Sequence, residues 1–140
     1  MKKLLLSVVL VFLFIPAVFA SNWVFVAHSD NAKLLVDTES IQYDGSNIAT
    51  CWARFDYDKP QYLPDNSTHF YSLKSHYRFN YHNRTAGTLS SIFYSEQSES
   101  GNIVSRNDNN HPEPLNIVPD SYGDRILKYV FEQYAGRPKR

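Results

Sequence analysis

Cysteine is almost missing from this chain: Cys51 stands alone among 140 residues. No intramolecular disulfide can therefore staple the fold. Cys51 falls inside a strand pattern beside Trp52, where a lone cysteine reads as a small buried hydrophobe; the other reading is a reactive or intermolecular thiol. Charge of one sign is also missing, with 14 Lys and Arg against 14 Asp and Glu. A near-neutral chain has no electrostatic reason to seek nucleic acid or an anionic membrane. There is one long apolar run, Leu4 to Phe14, and it is short of the ~20 residues a spanning helix needs. No GxSxG, HExxH, P-loop or dinucleotide fingerprint occurs, which removes the common signatures of hydrolases, zinc proteases and nucleotide enzymes.

What is present starts with an export signal. Lys2 and Lys3 give a positive start, the apolar run follows, Pro16 breaks it, and Val18-Phe19-Ala20 offers a cleavage site before Ser21. This is the order of a secretory signal peptide, residues 1–20, in a bacterial form. The expected product is a single globular domain, residues 21–140, long enough to bury a core. Loss of Lys2 and Lys3 leaves 12 cations against 14 anions, a net charge of −2. No cysteine follows the cleavage point directly, so a lipid anchor is not expected. Nor is stable membrane insertion. The destination is the periplasm, the cell surface or the medium.

The exported part holds all 10 Tyr, both Trp and six of the nine Phe, a load suited to β-structure. Trp23–Ala27 and Lys33–Asp37 read as a hairpin around a Ser29-Asp30-Asn31 turn. Asn47–Tyr57 follows the Asp44-Gly45 turn. Lys59–Thr68, with Pro60 and Pro64, reads as a loop. From Tyr71 to His82 the odd positions (Tyr71, Leu73, Ser75, Tyr77, Phe79, Tyr81) are mostly aromatic or apolar and the even ones polar or basic. Period-two alternation puts the two sets on opposite faces of a sheet. Gly87–Ser95 and Asn102–Ser105 read as further strands, and Arg106–Pro119 as a polar crossover. Ser121 caps a final helix with Asp124 at capping-box spacing. Ile126, Leu127, Val130, Phe131 and Tyr134 form its apolar stripe, and Gly136 and Pro138 stop it. The expected class is α+β: an antiparallel sheet of about six strands, one face packed against a C-terminal helix and the other wet.

Candidate chemistry is thin. Of five histidines, only His76 and His82 share strand parity at close range, and six residues along a strand is ~20 Å, too far to share a metal. No metal or cofactor is expected, and no catalytic residue. Asn66-Ser67-Thr68 and Asn83-Arg84-Thr85 match the glycosylation pattern but read as turns. The clearest binding candidates are Lys74, His76 and Arg78 on the polar face of one strand, with Trp52 and Arg54 of the preceding strand if the two pair. One reading is a solvated face whose charges oppose aggregation. The other is a partner-binding patch, since Trp and Arg anchor many interfaces.

The order of motifs resembles the surface-adhesin protein E family. The matching segments are Trp23-Val24-Phe25-Val26, Asp37-Thr38-Glu39-Ser40-Ile41, Trp52 to Pro60, Tyr71-Ser72-Leu73-Lys74, and Ile117 to Asp124 before the last helix. The resemblance implies a sheet packed on a C-terminal helix, exposure at the cell envelope, and attachment to host matrix or serum proteins such as laminin or vitronectin. It also implies a cysteine before the Asn-Arg turn and another in the last helix. Tyr81 and Phe131 stand there, so an aromatic contact is expected in place of a bridge. The leading expectation is thus a non-enzymatic binding domain. The alternative is a soluble periplasmic accessory or small-ligand-binding protein without host contact, and a third is a hydrolase assembled from scattered residues. Open sheet edges would permit a homodimer by edge pairing.

Overall fold

The computed structural model describes residues 20–135. The leader, except Ala20, and the Gly136–Pro138 helix stop lie outside the described residues. Among the described residues, eight strands form one antiparallel sheet. They are β1 (Trp23–His28), β2 (Ala32–Asp37), β3 (Gln42–Asp44), β4 (Ile48–Tyr62), β5 (His69–Asn80), β6 (Thr85–Tyr94), β7 (Ile103–Asp108) and β8 (Leu115–Asn116). The main path runs β1-β2-β4-β5-β6-β7, with β3 lying beside β4 and β8 beside β6. The two strands beyond the expected six are β3 and β8. Each is too short to show an alternation, and β8 lies inside the proline-bearing crossover.

β4 also corrects the expected boundary at Lys59. It continues through Pro60 to Tyr62. The register explains how: Asp56 pairs with Ser72 but Gln61 pairs with Phe70, so the intervening residues bulge out of the ladder. Pro60 sits in that bulge, where its missing N–H costs no ladder bond. The loop shrinks to a turn in which the Leu63 N–H donates to the Thr68 carbonyl at 2.9 Å. The Asp65 carboxylate accepts from the Ser67 and Thr68 N–H groups, each at 3.0 Å.

The alternation along β5 orients the sheet. Phe79 is buried and Leu73 and Tyr77 pack against the core, joining Leu34, Val36, Cys51, Ala53 and Phe55 from neighbouring strands. Onto this face folds α1 (Tyr122–Lys128), which runs directly into a π-helical turn, Tyr129–Tyr134. Ile126, Leu127 and Val130 are fully enclosed. At ~1.5–3 kcal/mol per apolar side chain, those three contribute roughly 5–9 kcal/mol gross, before chain entropy. Tyr129 joins the buried stripe, while Phe131 and Tyr134 sit half-buried at its margin. Cys51 lies in the middle of this layer. Burial, with a further push from the Asp37 carboxylate, raises its thiol to about 12, so it packs as a hydrophobe and is not a nucleophile at neutral pH.

Tyr81 and Phe131 meet. Their rings stack at 4.9 Å between centroids, and Tyr43 meets Phe131 edge-on at 5.9 Å. The Tyr43 hydroxyl donates to the Val130 carbonyl at 2.6 Å. Such ring pairs contribute ~0.5–1.5 kcal/mol beyond their buried area. Packing thus ties the end of β5 to the helix where the family resemblance implies a bridge.

The helix start is clasped by a buried carboxylate. The Asp124 N–H donates to the Ser121 hydroxyl at 3.3 Å, so Ser121 caps α1 as expected. Asp124 does not close a capping box. Its side chain turns inward, 1% exposed, and accepts from the Asp120 N–H at 2.9 Å. It pairs with Lys128 one turn on at 3.1 Å and with Arg84 of the β5–β6 turn. The Asp120 N–H, helped by Arg84 and Lys128, holds this carboxyl down to about 2. A depressed carboxyl stabilises the fold above its unfolded value of ~3.9, and that contribution is lost as pH falls toward the folded value. Thermal midpoints measured from pH 6 to pH 2 should therefore drop most steeply between about pH 4 and pH 2. Asp124→Asn should unfold more easily at pH 6 and show a shallower fall across that window; an unchanged slope would show that other carboxylates control acid stability.

Candidate functional site

The face of the sheet away from the helix carries the candidates, and strand register decides how they meet. β4 and β5 pair with Trp52 opposite His76, Arg54 opposite Lys74 and Thr50 opposite Arg78. Alternate residues of both strands project to the same side, so all five candidate residues share one face. Trp52 and His76 stack nearly parallel, 7° apart with centroids at 4.9 Å. The Lys74 ammonium lies 5.5 Å from the Trp52 ring centre and 5.8 Å from that of Tyr94. The Arg54 guanidinium sits 4.8 Å over the Trp23 ring. These are cation–π distances. Phe25, two positions from Trp23, is 56% exposed.

The expectation of a cationic side facing water needs correction. Arg54 is only 8% exposed, and Asp56 receives its Nε and Nη2 donors at 3.1 Å each. Glu99 lies 3.5 Å from its Nη1 and 2.8 Å from the Lys74 ammonium. Two cations thus meet two carboxylates, and the centre of the face carries no net charge. Burial lowers the Lys74 ammonium, but its hydrogen bond and charge contact with Glu99 outweigh that and leave it raised overall. Burial lowers His76, so the imidazole stacked on Trp52 is neutral at pH 7. Of the basic candidates, Arg78 alone is exposed. It stands apart from the cluster, in a cleft at the far end of β5.

Glu99 arrives from the loop between β6 and β7, which folds back over this face. The Ser98 N–H donates to Asp56 at 2.9 Å, and the Glu99 N–H to the Ser72 hydroxyl at 3.0 Å. That hydroxyl donates in turn to the Glu96 carbonyl at 2.6 Å, which accounts for the burial of Ser72 on the outer face. Ser98 and Glu99 both adopt left-handed backbone, φ 58° and 52°, a conformation L-residues hold only when their surroundings impose it. The loop closes through Gly101, also left-handed at φ 74°. A side chain there would strike the Ser95 hydroxyl.

Trp23 and Tyr94, whose rings meet Arg54 and Lys74, and the two carboxylates, Asp56 and Glu99, are the site residues that sequence reasoning missed. Asp56 had a signal, because it shares the parity of Arg54 two residues earlier on the same strand. Glu99 had none: it sits in a Ser- and Glu-rich loop whose path over the sheet no periodicity reveals. The chemistry available here is recognition. Rings, a neutral imidazole and a compensated ion-pair cluster can bury a partner's surface, and the cluster is fully occupied with itself. Among the described residues no group of three or more His, Cys, Asp or Glu could hold a metal ion, and no helix is long and apolar enough to cross a membrane.

Glu99→Ala should leave Arg54 with one carboxylate and the loop without its anchor. An unfolding free energy lower by about 1–3 kcal/mol is expected in denaturant titrations, with faster amide exchange at Ser98, Glu99 and Ser100. Unchanged exchange at those amides would mean that the backbone hydrogen bonds alone hold the loop.

Comparison with known proteins places this architecture. No curated protein sequence matches the chain. Three structures of protein E from Haemophilus influenzae share the fold. One is 20% identical with a TM-score of 0.57, covering 89% of this chain and 94% of that one. A second crystal form is 21% identical with a TM-score of 0.59, covering 86% and 94%. A structure from a non-typeable strain is 21% identical with a TM-score of 0.55, covering 86% and 82%. The family model for surface-adhesin protein E matches residues 23–130, from the first strand into the terminal helix. By that match, which spans most of its length, the chain belongs to the surface-adhesin protein E family.

Proposed function

We propose that this protein is exported, begins at Ser21 once its leader is removed, and works outside the cytoplasm as a non-enzymatic attachment domain. Its partners are host matrix or serum proteins, with laminin and vitronectin as the first candidates. Contact is made through the outer face of the sheet. Trp52 and His76 form the centre, Lys74 and Arg54 hold the rings in place, and Arg78 lies at the border. One observation carries this reading: the face left uncovered by the helix is built from Trp23, Trp52, His76 and Tyr94 around a self-neutralised ion cluster. Aromatic centres with compensated charge fit interface cores, where unpaired charge is depleted and Trp, Tyr and Arg are enriched. Family membership supports the same reading.

The domain from Ser21 onward, coated against laminin and vitronectin, should bind at least one of them saturably. Trp52→Ala and Lys74→Ala should each weaken binding by about tenfold or more, the loss expected of a central anchor, while circular dichroism stays unchanged. Protease treatment of intact cells should remove the protein. Absence of saturable binding to any matrix or serum protein, with the protein confined to soluble periplasm, would favour an accessory role without host contact.

A further inference from the structure

We propose that the cleft beside Arg78 is a second binding site, built for a small anionic saccharide and set apart from the aromatic cluster at the far end of the same face. The cleft has a volume of about 460 Å³, room for a sugar and well beyond the needs of a single inorganic ion. Its polar wall is one-signed. Arg78 and His111 line it with the carboxamides of Asn80, Asn83 and Asn110, and no Asp or Glu contributes to the lining. Arg78 makes no ion pair or side-chain hydrogen bond among the described residues. A guanidinium with free donors beside such a cleft matches a carboxylate or sulfate, which it can grip with two parallel hydrogen bonds. Asn80 accepts from the Asn83 N–H through its side-chain oxygen at 3.0 Å, leaving its amide nitrogen to donate outward. Leu89, Pro112 and Pro114 supply apolar lining. An anion grip, several carboxamides and an apolar side together suit a ring that is hydroxylated at its rim, apolar on its faces and charged at one end.

The cleft is held open by a braced strap, residues 109–114. At one end the Asn109 N–H donates to the Leu89 carbonyl at 2.7 Å, and at the other the Ile117 N–H donates to the Arg84 carbonyl at 2.9 Å. Between these, β8 pairs with Thr85 and Ala86 at the start of β6. Pro112 rests on Gly87, where an added Cβ would come within 2.9 Å of the proline ring. Gly87 is therefore the position that lets the strap approach β6. Two prolines and fixed ends leave little ordering for a ligand to drive, and such preorganisation favours affinity.

Titration of the exported chain, followed by amide chemical shifts, tests this with three probes: glucuronic acid, inorganic sulfate and N-acetylglucosamine. Glucuronic acid should give saturable shifts at Gly87, Leu89, Asn110 and His111, with sulfate weaker and N-acetylglucosamine without effect. Arg78→Ala should weaken glucuronic acid by about tenfold or more, an exposed change that leaves the core intact. Gly87→Ala should weaken it as well by displacing Pro112. Trp52→Ala should leave it unchanged, so that loss of host-protein binding and loss of sugar binding are read separately. Failure of glucuronic acid to saturate, equal response to the neutral sugar, or indifference to Arg78→Ala would overturn the proposal. Sulfate binding as tightly as glucuronic acid would overturn the saccharide assignment.

Discussion

The helix lying on one side of the central strands is the constraint from which the rest of the molecule follows. Ile126, Leu127 and Val130 are apolar groups that the inner face of the sheet, with Leu34 and Val36 of β2 beside the β4 and β5 residues, removes from water. Once that side is covered, every residue of opposite parity is committed to the other side. A one-residue slip in register would exchange the two sets completely. The position of Trp52, Arg54, Lys74 and His76 on a shared outer surface is thus a consequence of where the core had to be.

The outer surface then meets its own electrostatic demand. A guanidinium as enclosed as Arg54 cannot remain unpaired, because stripping water from an isolated charge costs several kcal/mol. Asp56 answers from the same strand and Glu99 from a loop distant in sequence. Meeting Arg54 and Lys74 together requires Ser98 and Glu99 to hold left-handed backbone, and hydrogen bonds to Asp56 and Ser72 hold them there. The result is an aromatic surface whose charges are internally satisfied. Arg78 lies beyond the reach of that cluster and is left free to serve a different contact.

The other end of the fold shows two more ways of joining elements without a disulfide. Stacked rings of Tyr81 and Phe131 connect the end of β5 to the π-helical turn. The Asp124 carboxylate connects the helix start to the Asp120 backbone and the β5–β6 turn. Both are packing or hydrogen-bonding solutions, available because Cys51 is buried in the core with no partner cysteine. They carry different sensitivities: the ring pair is indifferent to redox conditions, and the carboxylate clasp responds to acid.

Much of the architecture was legible in the residues alone. The alternation from Tyr71 to His82, the Ser121 cap and the stripe from Ile126 onward are local periodicities, and local periodicity is what a chain writes directly into its sequence. Parity likewise placed Lys74, His76 and Arg78 on one face of their strand and Trp52 with Arg54 on one face of theirs. The pairing of the two strands is what joins the sets on a shared surface. What only the tertiary structure decided was how those residues are spent. Whether Arg54 faces water or carboxylates depends on Glu99, 45 residues away, and on the path of a loop with no repeat to read. The extension of β4 past Pro60 depends on a bulge that exists only in the paired sheet, and the cleft at Arg78 depends on a strap resting against Gly87. Contacts between distant segments set burial and charge balance, and no spacing within one segment encodes them.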